Sequence, residues 1–145
     1  MQIITKEVKD KPLTVTIEYP ERTEFVDGLI RKIGNMDISF SADDNGRQVK
    51  LKLAEVYYIE NVERKLFIYG AKEVYRLNVG AAELEERFKD SDMVRISRTC
   101  IMNTDHLKVI RQLRNSRLEA VLDNDEKLIV SRKYLKDIKR VFKKG

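Results

Sequence analysis

The chain has 145 residues, of which 42% are hydrophobic and 37% are charged. This length allows one ordinary domain with a small appendage, and the apolar fraction is sufficient for a core. No apolar run approaches the roughly 20 residues that cross a bilayer, and the N-terminus lacks the apolar stretch of a secretory signal, so we expect a cytoplasmic protein. The single cysteine, Cys100, excludes an intramolecular disulfide, and its apolar neighbours predict an inert buried thiol.

The net charge of +5 is concentrated in the C-terminal part of the chain. Residues 1–90 carry 15 Lys and Arg against 17 Asp and Glu, a balance of −2, whereas residues 91–145 carry 14 against 7, a balance of +7. A local excess of this kind attracts polyanions, and nucleic acid is the commonest cytosolic one. From charge alone, a solvated basic surface without a ligand is an equally good explanation.

Residues 1–36 predict a small β-β-α appendage. Ile3-Ile4 and Leu13–Ile17 have the composition of strands, joined across Lys9–Pro12. A helix is predicted to begin at Pro20 and Glu21 and to stop at Gly34. Its apolar residues recur at helical spacing, at Phe25, Val26, Leu29, Ile30 and Ile33. No low-complexity linker follows, so we expect the appendage to pack against the rest and to serve either homodimerisation or the docking of a partner.

Residues 37–145 predict a second, mainly β domain with small helices. Its strands are expected at 38–40, 49–53, 56–59, 66–69, 74–79, 94–96, 100–102, 107–110, 118–122 and 128–130. The Asn45-Gly46 pair favours positive φ and predicts a hairpin. A short helix is expected over Ala81–Phe88, and a terminal helix is expected from Ser131 as N-cap. The apolar stripe of that terminal helix is Tyr134, Leu135, Ile138, Val141 and Phe142.

Few residues of this chain could support catalysis or metal binding. The motifs of metalloproteases, nucleotide-binding loops and dinucleotide-binding folds do not occur. Cys100 and His106 could form a nucleophile–base pair, but a buried thiol and a surface imidazole explain them better. Asp123, Asp125 and Glu126 lack the spacing of a calcium loop, so a turn is the simpler interpretation. We therefore expect no enzyme activity, cofactor, metal site or small-molecule substrate.

Basic residues are found at three places that are distant in sequence. Glu63-Arg64-Lys65 connects two predicted strands, Ser97-Arg98-Thr99 forms a kink between two others, and Arg132-Lys133 begins the terminal helix. Connections between strands usually face solvent. Each group alone is most simply an exposed charge, and together they would form a nucleic-acid site only if the fold brings them to one surface.

The segment Arg95–Asn103 has the pattern Arg-x-x-Arg-Thr/Ser-x-aliphatic-x-Asn. It stands in order with three further landmarks, Leu53–Glu60, Leu84–Phe88 and Val130–Lys136. Over residues 38–144 the chain resembles the LytTR family of bacterial DNA-binding domains. The resemblance implies an elongated β-β-β sandwich that inserts loops, instead of a recognition helix, into successive major grooves of DNA.

Site residues follow from this resemblance by position. It implies DNA contacts by Lys65, or Arg64 if the loop length shifts the match, by Arg98 and by Arg132. Ser97 stands where many members have histidine, so a contact there would be weaker or mediated by water. Many members also follow a phosphoacceptor receiver domain, which 35 residues cannot build, so the chain is similar to the stand-alone members. Some of those are encoded beside small membrane proteins that restrain them.

The leading hypothesis is therefore a sequence-specific transcriptional regulator that binds double-stranded DNA. Its expected site comprises Arg64, Lys65, Ser97, Arg98, Thr99, Arg132 and Lys133. We expect a homodimer on direct repeats one helical turn apart. The alternatives are a protein-interaction module that works through residues 1–36, and a binder of single-stranded RNA. The RNA binder would stack bases on Tyr57, Tyr58, Phe67 and Tyr69.

Overall fold

The computed structural model describes residues 1–36, 38–89 and 91–144, with the backbone alone for residues 140–144. The helices are α1 (Glu24–Met36), α2 (Ala81–Arg87) and α3 (Leu135–Lys144). The strands are β1 (Ser39–Asp44), β2 (Arg47–Lys52), β3 (Tyr58–Val62), β4 (Lys65–Tyr69), β5 (Val74–Leu77), β6 (Met93–Arg95), β7 (Cys100–Asn103), β8 (Leu107–Gln112), β9 (Leu118–Leu122) and β10 (Lys127–Val130). The predicted fold class, mainly β with small helices, is confirmed. None of the described helices has the length and apolar character to span a membrane.

The strands form two antiparallel sheets. The larger sheet has seven strands in the order β2-β1-β5-β4-β3-β7-β6, and the smaller has three in the order β10-β9-β8. Two-residue turns close the β1–β2 and β3–β4 hairpins. Asn45 and Gly46 in the first, and Glu63 and Arg64 in the second, all have positive φ. Turns of this type match the twist of the flanking strands, so the register of each hairpin is set locally.

Two core clusters lie on opposite faces of the larger sheet. On one face, Ile59 and Ile101 pack with Leu84 and Phe88, at α2 and its C-terminal end. On the other face, Tyr58 and Met102 contribute to a cluster that also contains residues of the smaller sheet. The members of that cluster from β9, β10 and α3 are Leu118, Ala120, Leu122, Val130 and Ile138. Strands β3 and β7 therefore join the two layers, and all four residues of β7 are buried.

The appendage differs from its prediction. The helix is present, but residues 1–22 contain no strand, and no backbone hydrogen bond joins them to the described remainder of the chain. The predicted turn between the two segments is present at Asp10, which has a φ of 64°. An isolated pair of short strands is only marginally stable in water, and Pro12 has no N–H to donate, so this hairpin lacks sufficient pairing within one chain. The boundary at residue 37 lies outside the described residues, and the division into two domains stays a prediction.

Both predicted helix starts in the terminal regions were too early. Helix α1 begins after Thr23, whose hydroxyl accepts a hydrogen bond from the Val26 N–H at 3.3 Å, and it continues through Gly34. At the C-terminus, Ser131 precedes a single 3₁₀ turn over Arg132–Tyr134, and its side chain makes no capping bond. The terminal helix follows only from Leu135. The expected stripe positions Val141 and Phe142 lie outside the residues whose side chains are described.

Asn103, which ends the Arg95–Asn103 pattern, is a buried structural residue. It is 2% exposed, and its amide donates hydrogen bonds to the carbonyl of Val56 at 2.8 Å and to that of Leu53 at 3.2 Å. Its side-chain oxygen accepts from the Asp105 N–H at 3.1 Å. The asparagine thus connects the end of β7 to the turn before β3. The Leu53 and Val56 carbonyls of that turn lie outside the strands, so they have no hydrogen bonds from strand pairing.

We expect Asn103→Ala to lower the free energy of unfolding by about 1–3 kcal/mol, because the buried Val56 carbonyl loses its partner and the Leu53 carbonyl keeps only the Val56 N–H. Urea denaturation would show this as a lower midpoint with an unchanged slope. The control is Asn78→Ala, since Asn78 is exposed and no hydrogen bond of its side chain is seen among the described residues. Equal midpoints for the two variants would contradict the assigned role of Asn103.

Candidate nucleic-acid interface

Four connections lie at one end of the two sheets. They are the β3–β4 turn with Lys65 (residues 63–65), the β6–β7 loop (residues 97–99), the β8–β9 loop (residues 113–117) and the segment after β10 (residues 131–133). We refer to these four segments together as the basic rim. The antiparallel registers bring them to the same end, because β3 runs beside β7 and β9 runs between β8 and β10.

Two backbone hydrogen bonds hold the β6–β7 loop, one to β3 and one to the segment after β10. The Asn61 N–H donates to the Thr99 carbonyl at 2.8 Å, which extends the β3–β7 pairing into the loop. The Ser131 N–H donates to the Ile96 carbonyl at 2.9 Å, which joins the end of β10 to the start of the same loop. Arg98 lies two residues after Ile96, and Arg132 directly follows Ser131. The Ser131–Ile96 hydrogen bond therefore brings the two arginines to the same part of the rim.

A third hydrogen bond brings in the β8–β9 loop. The Arg132 Nε donates to the Asn115 carbonyl at 3.0 Å. Asn115 and Ser116 both have positive φ, which turns the chain sharply and holds the carbonyl at the rim. The contact uses one N–H of the guanidinium, so the remaining donors of Arg132 are available for a ligand.

The rim carries a strong positive charge. It contains seven basic side chains, Arg64, Lys65, Arg98, Arg114, Arg117, Arg132 and Lys133, and all seven are exposed. The single acidic residue of the rim is Glu63. Six positive charges in excess on adjacent loops produce a local field that attracts a polyanion.

The rim cations lack the carboxylate partners that some cations elsewhere have. Within the described residues, none of the seven rim cations forms a salt bridge, whereas six Lys and Arg residues elsewhere do. The pairs are Arg22–Asp27, Arg31–Asp92, Arg47–Asp44, Arg95–Glu85, Lys108–Asp125 and Arg111–Glu119. Cations without a carboxylate neighbour keep their charge available for phosphate.

Arg95 holds the backbone of the β6–β7 loop by hydrogen bonds. Its Nη1 donates to the Arg98 carbonyl at 3.0 Å and to the Ser97 carbonyl at 3.3 Å, while its Nη2 pairs with Glu85 of α2. The Ser97 hydroxyl accepts from the Thr99 N–H at 3.3 Å. This loop therefore has internal hydrogen bonds that hold its backbone, while the Arg98 side chain extends into solvent.

The structure brings all seven predicted site residues to one end of the molecule. Arg64 lies in the turn, Lys65 begins β4, and Arg132 and Lys133 lie in the 3₁₀ turn. The Lys133 Nζ lies 5.7 Å from the centroid of the Tyr134 ring. Ser97 is half-buried and its hydroxyl bonds within the loop, so it is the least available of the set.

Sequence reasoning missed Arg114 and Arg117. Both flank the turn at Asn115-Ser116, between the strands predicted at 107–110 and 118–122, and both are exposed at the rim. Two arginines beside a turn in the basic half of the chain were an available signal. Only the pairing of β8, β9 and β10 shows that this turn lies beside Arg132.

Cys100 and His106 do not form a nucleophile–base pair. Cys100 belongs to the second core cluster, and burial raises the pKa of its thiol to about 12, with a smaller contribution from nearby Glu60. The His106 ring places one nitrogen 3.2 Å from the Asp123 carboxylate and the other 2.7 Å from the Ala54 carbonyl. Both side chains are thus engaged in holding the fold.

The acidic residues after β9 are also engaged in structural contacts. Asp125 pairs with Lys108 at 2.7 Å, and Glu126 accepts the hydroxyl of Tyr58 at 2.6 Å. Across the described part of the chain, no group of three or more His, Cys, Asp and Glu side chains is arranged to hold a metal ion. A turn explains these acids, as the sequence indicated.

The basic rim and the two-sheet fold accompany a match to a known family. The family model of the LytTr DNA-binding domain matches residues 46–143, which is more than half of the chain. The chain belongs to the LytTR family. Its members are DNA-binding domains, and the resemblance stated from the Arg95–Asn103 pattern is confirmed.

Similar proteins of known sequence are sensory transduction proteins. The chain is 26% identical over 122 residues to the sensory transduction protein LytT of Bacillus subtilis (strain 168), covering 77% of this chain and 51% of that protein. It is 27% identical over 85 residues to LytT of Enterococcus faecalis, covering 59% of this chain and 35% of that protein. The chain thus spans about half, or less, of the length of these relatives.

A solved structure shows the same fold. The LytTr DNA-binding domain of a Bacillus cereus protein superposes with a TM-score of 0.65 at 21% identity, covering 72% of this chain and 95% of that domain. At this level of identity the similarity concerns the arrangement of strands and helices. The larger part of this chain therefore has the fold of that domain.

We expect the Cys100 thiol to react with an alkylating reagent only as the protein unfolds. At pH 8 a thiol with a pKa of about 12 is thiolate in about one part in 10,000, and it is also shielded by the core. Labelling followed by mass spectrometry, with and without urea, measures this. Ser116→Cys in a Cys100→Ala background is the control and should label rapidly in the native state. Rapid native labelling of Cys100 itself would contradict its burial.

Proposed function

We propose that this LytTR protein is a cytoplasmic transcriptional regulator that binds double-stranded DNA with sequence specificity through the basic rim. The observation that carries the proposal is the convergence of seven exposed, unpaired cations from four connections. Phosphate contacts position a protein on a duplex, and arginine forks that reach base edges supply sequence discrimination. The rim offers both kinds of group on a single surface.

The rim loops would enter successive major grooves. The β6–β7 loop is the best candidate for base recognition, because Arg95 holds its backbone while Arg98 projects from it without a carboxylate partner among the described residues. A preorganised arginine loses less conformational freedom when its fork binds guanine. Arg64 or Lys65, and Arg132, would serve the neighbouring groove, with Lys133, Thr99 and Ser97 contacting phosphates directly or through water.

The arrangement of copies on DNA is part of the proposal. We infer that two copies bind direct repeats one helical turn apart, because one rim covers a limited stretch of duplex and a second copy would double the contacts. A small membrane-protein regulator is implied by the family resemblance alone. It stays a prediction.

Binding of single-stranded RNA is less well supported. Tyr58 is buried in the second core cluster, and its ring stacks on that of Tyr69 at 4.3 Å between centroids. Tyr57 stacks on His106 at 3.9 Å. Three of the four proposed stacking residues therefore pack within the protein, and the half-buried Phe67 alone makes no platform. The interaction-module alternative concerns residues 1–36 and predicts no protection of promoter DNA.

We expect Arg98→Ala to weaken binding to a duplex site selected from a random library by about 1–3 kcal/mol, roughly 5- to 150-fold, and to relax the base preference at one position. Lys133→Ala is the matched comparison, because loss of a phosphate contact weakens binding to all duplexes alike. Fluorescence anisotropy on the selected site and on single-base variants measures both effects. An unchanged base preference in Arg98→Ala would remove its assigned role.

The number of rim cations that contact phosphate should determine how steeply the DNA affinity falls with salt concentration. Each phosphate contact contributes about −0.9 to the slope of log K against log salt concentration, so Arg117→Ala should reduce the steepness by about that amount. Arg47→Ala is the control, since Arg47 is paired with Asp44 and lies outside the rim. Titrations at several salt concentrations would decide. Equal slopes for Arg117→Ala and the native protein would exclude a phosphate contact by Arg117.

A further inference from the structure

The N-terminal segment has much more exposed apolar surface than the rest of the described chain. Among the residues whose side chains are described, thirteen large hydrophobic residues are exposed, and eight of them lie at or before Phe25. The eight are Met1, Ile3, Ile4, Val8, Leu13, Val15, Tyr19 and Phe25. Such a concentration of exposed apolar residues in one short segment is typical of an interaction site.

Residues 13–17 also have a strand pattern without a strand partner. Leu13, Val15 and Ile17 alternate with Thr14 and Thr16, which favours an extended chain with one apolar face. No ladder forms, and no backbone hydrogen bond ties the segment to the described remainder of the chain. Unpaired N–H and C=O groups in such a segment are a template for pairing with another chain.

The segment is complementary to itself when two copies run antiparallel. With Val15 opposite Val15 of the second copy, Leu13 lies opposite Ile17 and Thr14 lies opposite Thr16. Aliphatic pairs and Thr–Thr pairs across two strands both stabilise a sheet. We propose that Leu13–Ile17 pairs in this register with the same segment of a second copy and thereby forms a homodimer.

The charges of the segment are compatible with a second copy. In the same register Lys11 lies opposite Tyr19 and Pro12 lies opposite Glu18, so no like charges face each other directly. Residues 1–22 carry four Lys and Arg and four Asp and Glu, so two such segments meet without net repulsion. A neutral segment also has no net attraction for DNA, whose charge the basic rim is suited to meet.

The remaining exposed apolar residues would cover the ribbon. A two-stranded ribbon alone is marginally stable, so its apolar face needs further contacts. Phe25 at the start of α1 is 68% exposed, and Ile3 and Ile4 are 80% and 84% exposed. Residues 18–22, which connect the ribbon to α1, are exposed. The two LytTR domains therefore need not be related by the two-fold axis of the ribbon, and this arrangement is compatible with binding to direct repeats. The dimer itself does not depend on DNA binding.

Cysteine cross-linking of the full chain tests the register. In a Cys100→Ala background, Val15→Cys should form a disulfide-linked dimer on mild oxidation, because residue 15 faces its own copy. Leu13→Cys alone and Ile17→Cys alone should not, since their copies would be about four residues, or 13 Å, apart, beyond the reach of a disulfide. A mixture of those two variants should cross-link. Self-linking of Leu13→Cys as efficient as that of Val15→Cys would overturn the proposed register.

Sedimentation equilibrium in the absence of DNA tests the dimer. The native chain should have twice the 17.0 kDa mass of one copy. Val15→Lys, which places two like charges opposite each other, should be monomeric, and a mixture of Val15→Lys with Val15→Glu should recover the dimer. Val109→Lys is the control and should stay dimeric, since Val109 is similarly exposed but lies on β8. A native chain that is monomeric at every concentration, or a Val15→Lys chain that stays dimeric, would refute the proposal.

Discussion

Burial of both faces of β7 decides where the charged loops of this protein lie. Its alternating side chains contact one core cluster through Ile101 and the other through Cys100 and Met102. Because neither face can move away from its core, the loop that precedes β7 is held at the junction of the two sheets. The Ser131–Ile96 hydrogen bond completes that junction and brings the end of β10 to the same place.

The loops at this junction combine a held backbone with free side chains. Arg95, at the end of β6, binds the carbonyls of the loop and is paired with Glu85. Arg98, the middle residue of the loop, has no carboxylate partner among the described residues. Clustering unpaired cations costs stability through mutual repulsion. The cost is tolerated because the cores on both sides of β7 are apolar and buried. Such an arrangement is expected where binding, and not stability, has determined the choice of residues.

Much of the fold could be predicted from local patterns. The strand expected at 49–53 and the Asn45-Gly46 turn depend on interactions within a few residues, and both are present in the structure. The appendage strands were wrong, because a strand needs a partner and the pattern of Leu13–Ile17 does not say where its partner is. The starts of α1 and α3 were each placed too early, since Thr23 caps the first and a 3₁₀ turn precedes the second.

The sequence alone determined the β class, the excess of positive charge after residue 90 and membership of the LytTR family through the Arg95–Asn103 pattern. These properties are local or additive, so they can be recognised without coordinates. Only the tertiary structure decided three further properties. The β8–β9 loop contacts Arg132, Asn103 is buried and bonded to the Leu53 and Val56 carbonyls, and the rim cations converge without a carboxylate partner among the described residues. Such properties depend on which strands are neighbours, and strand pairing joins residues that are far apart in the chain.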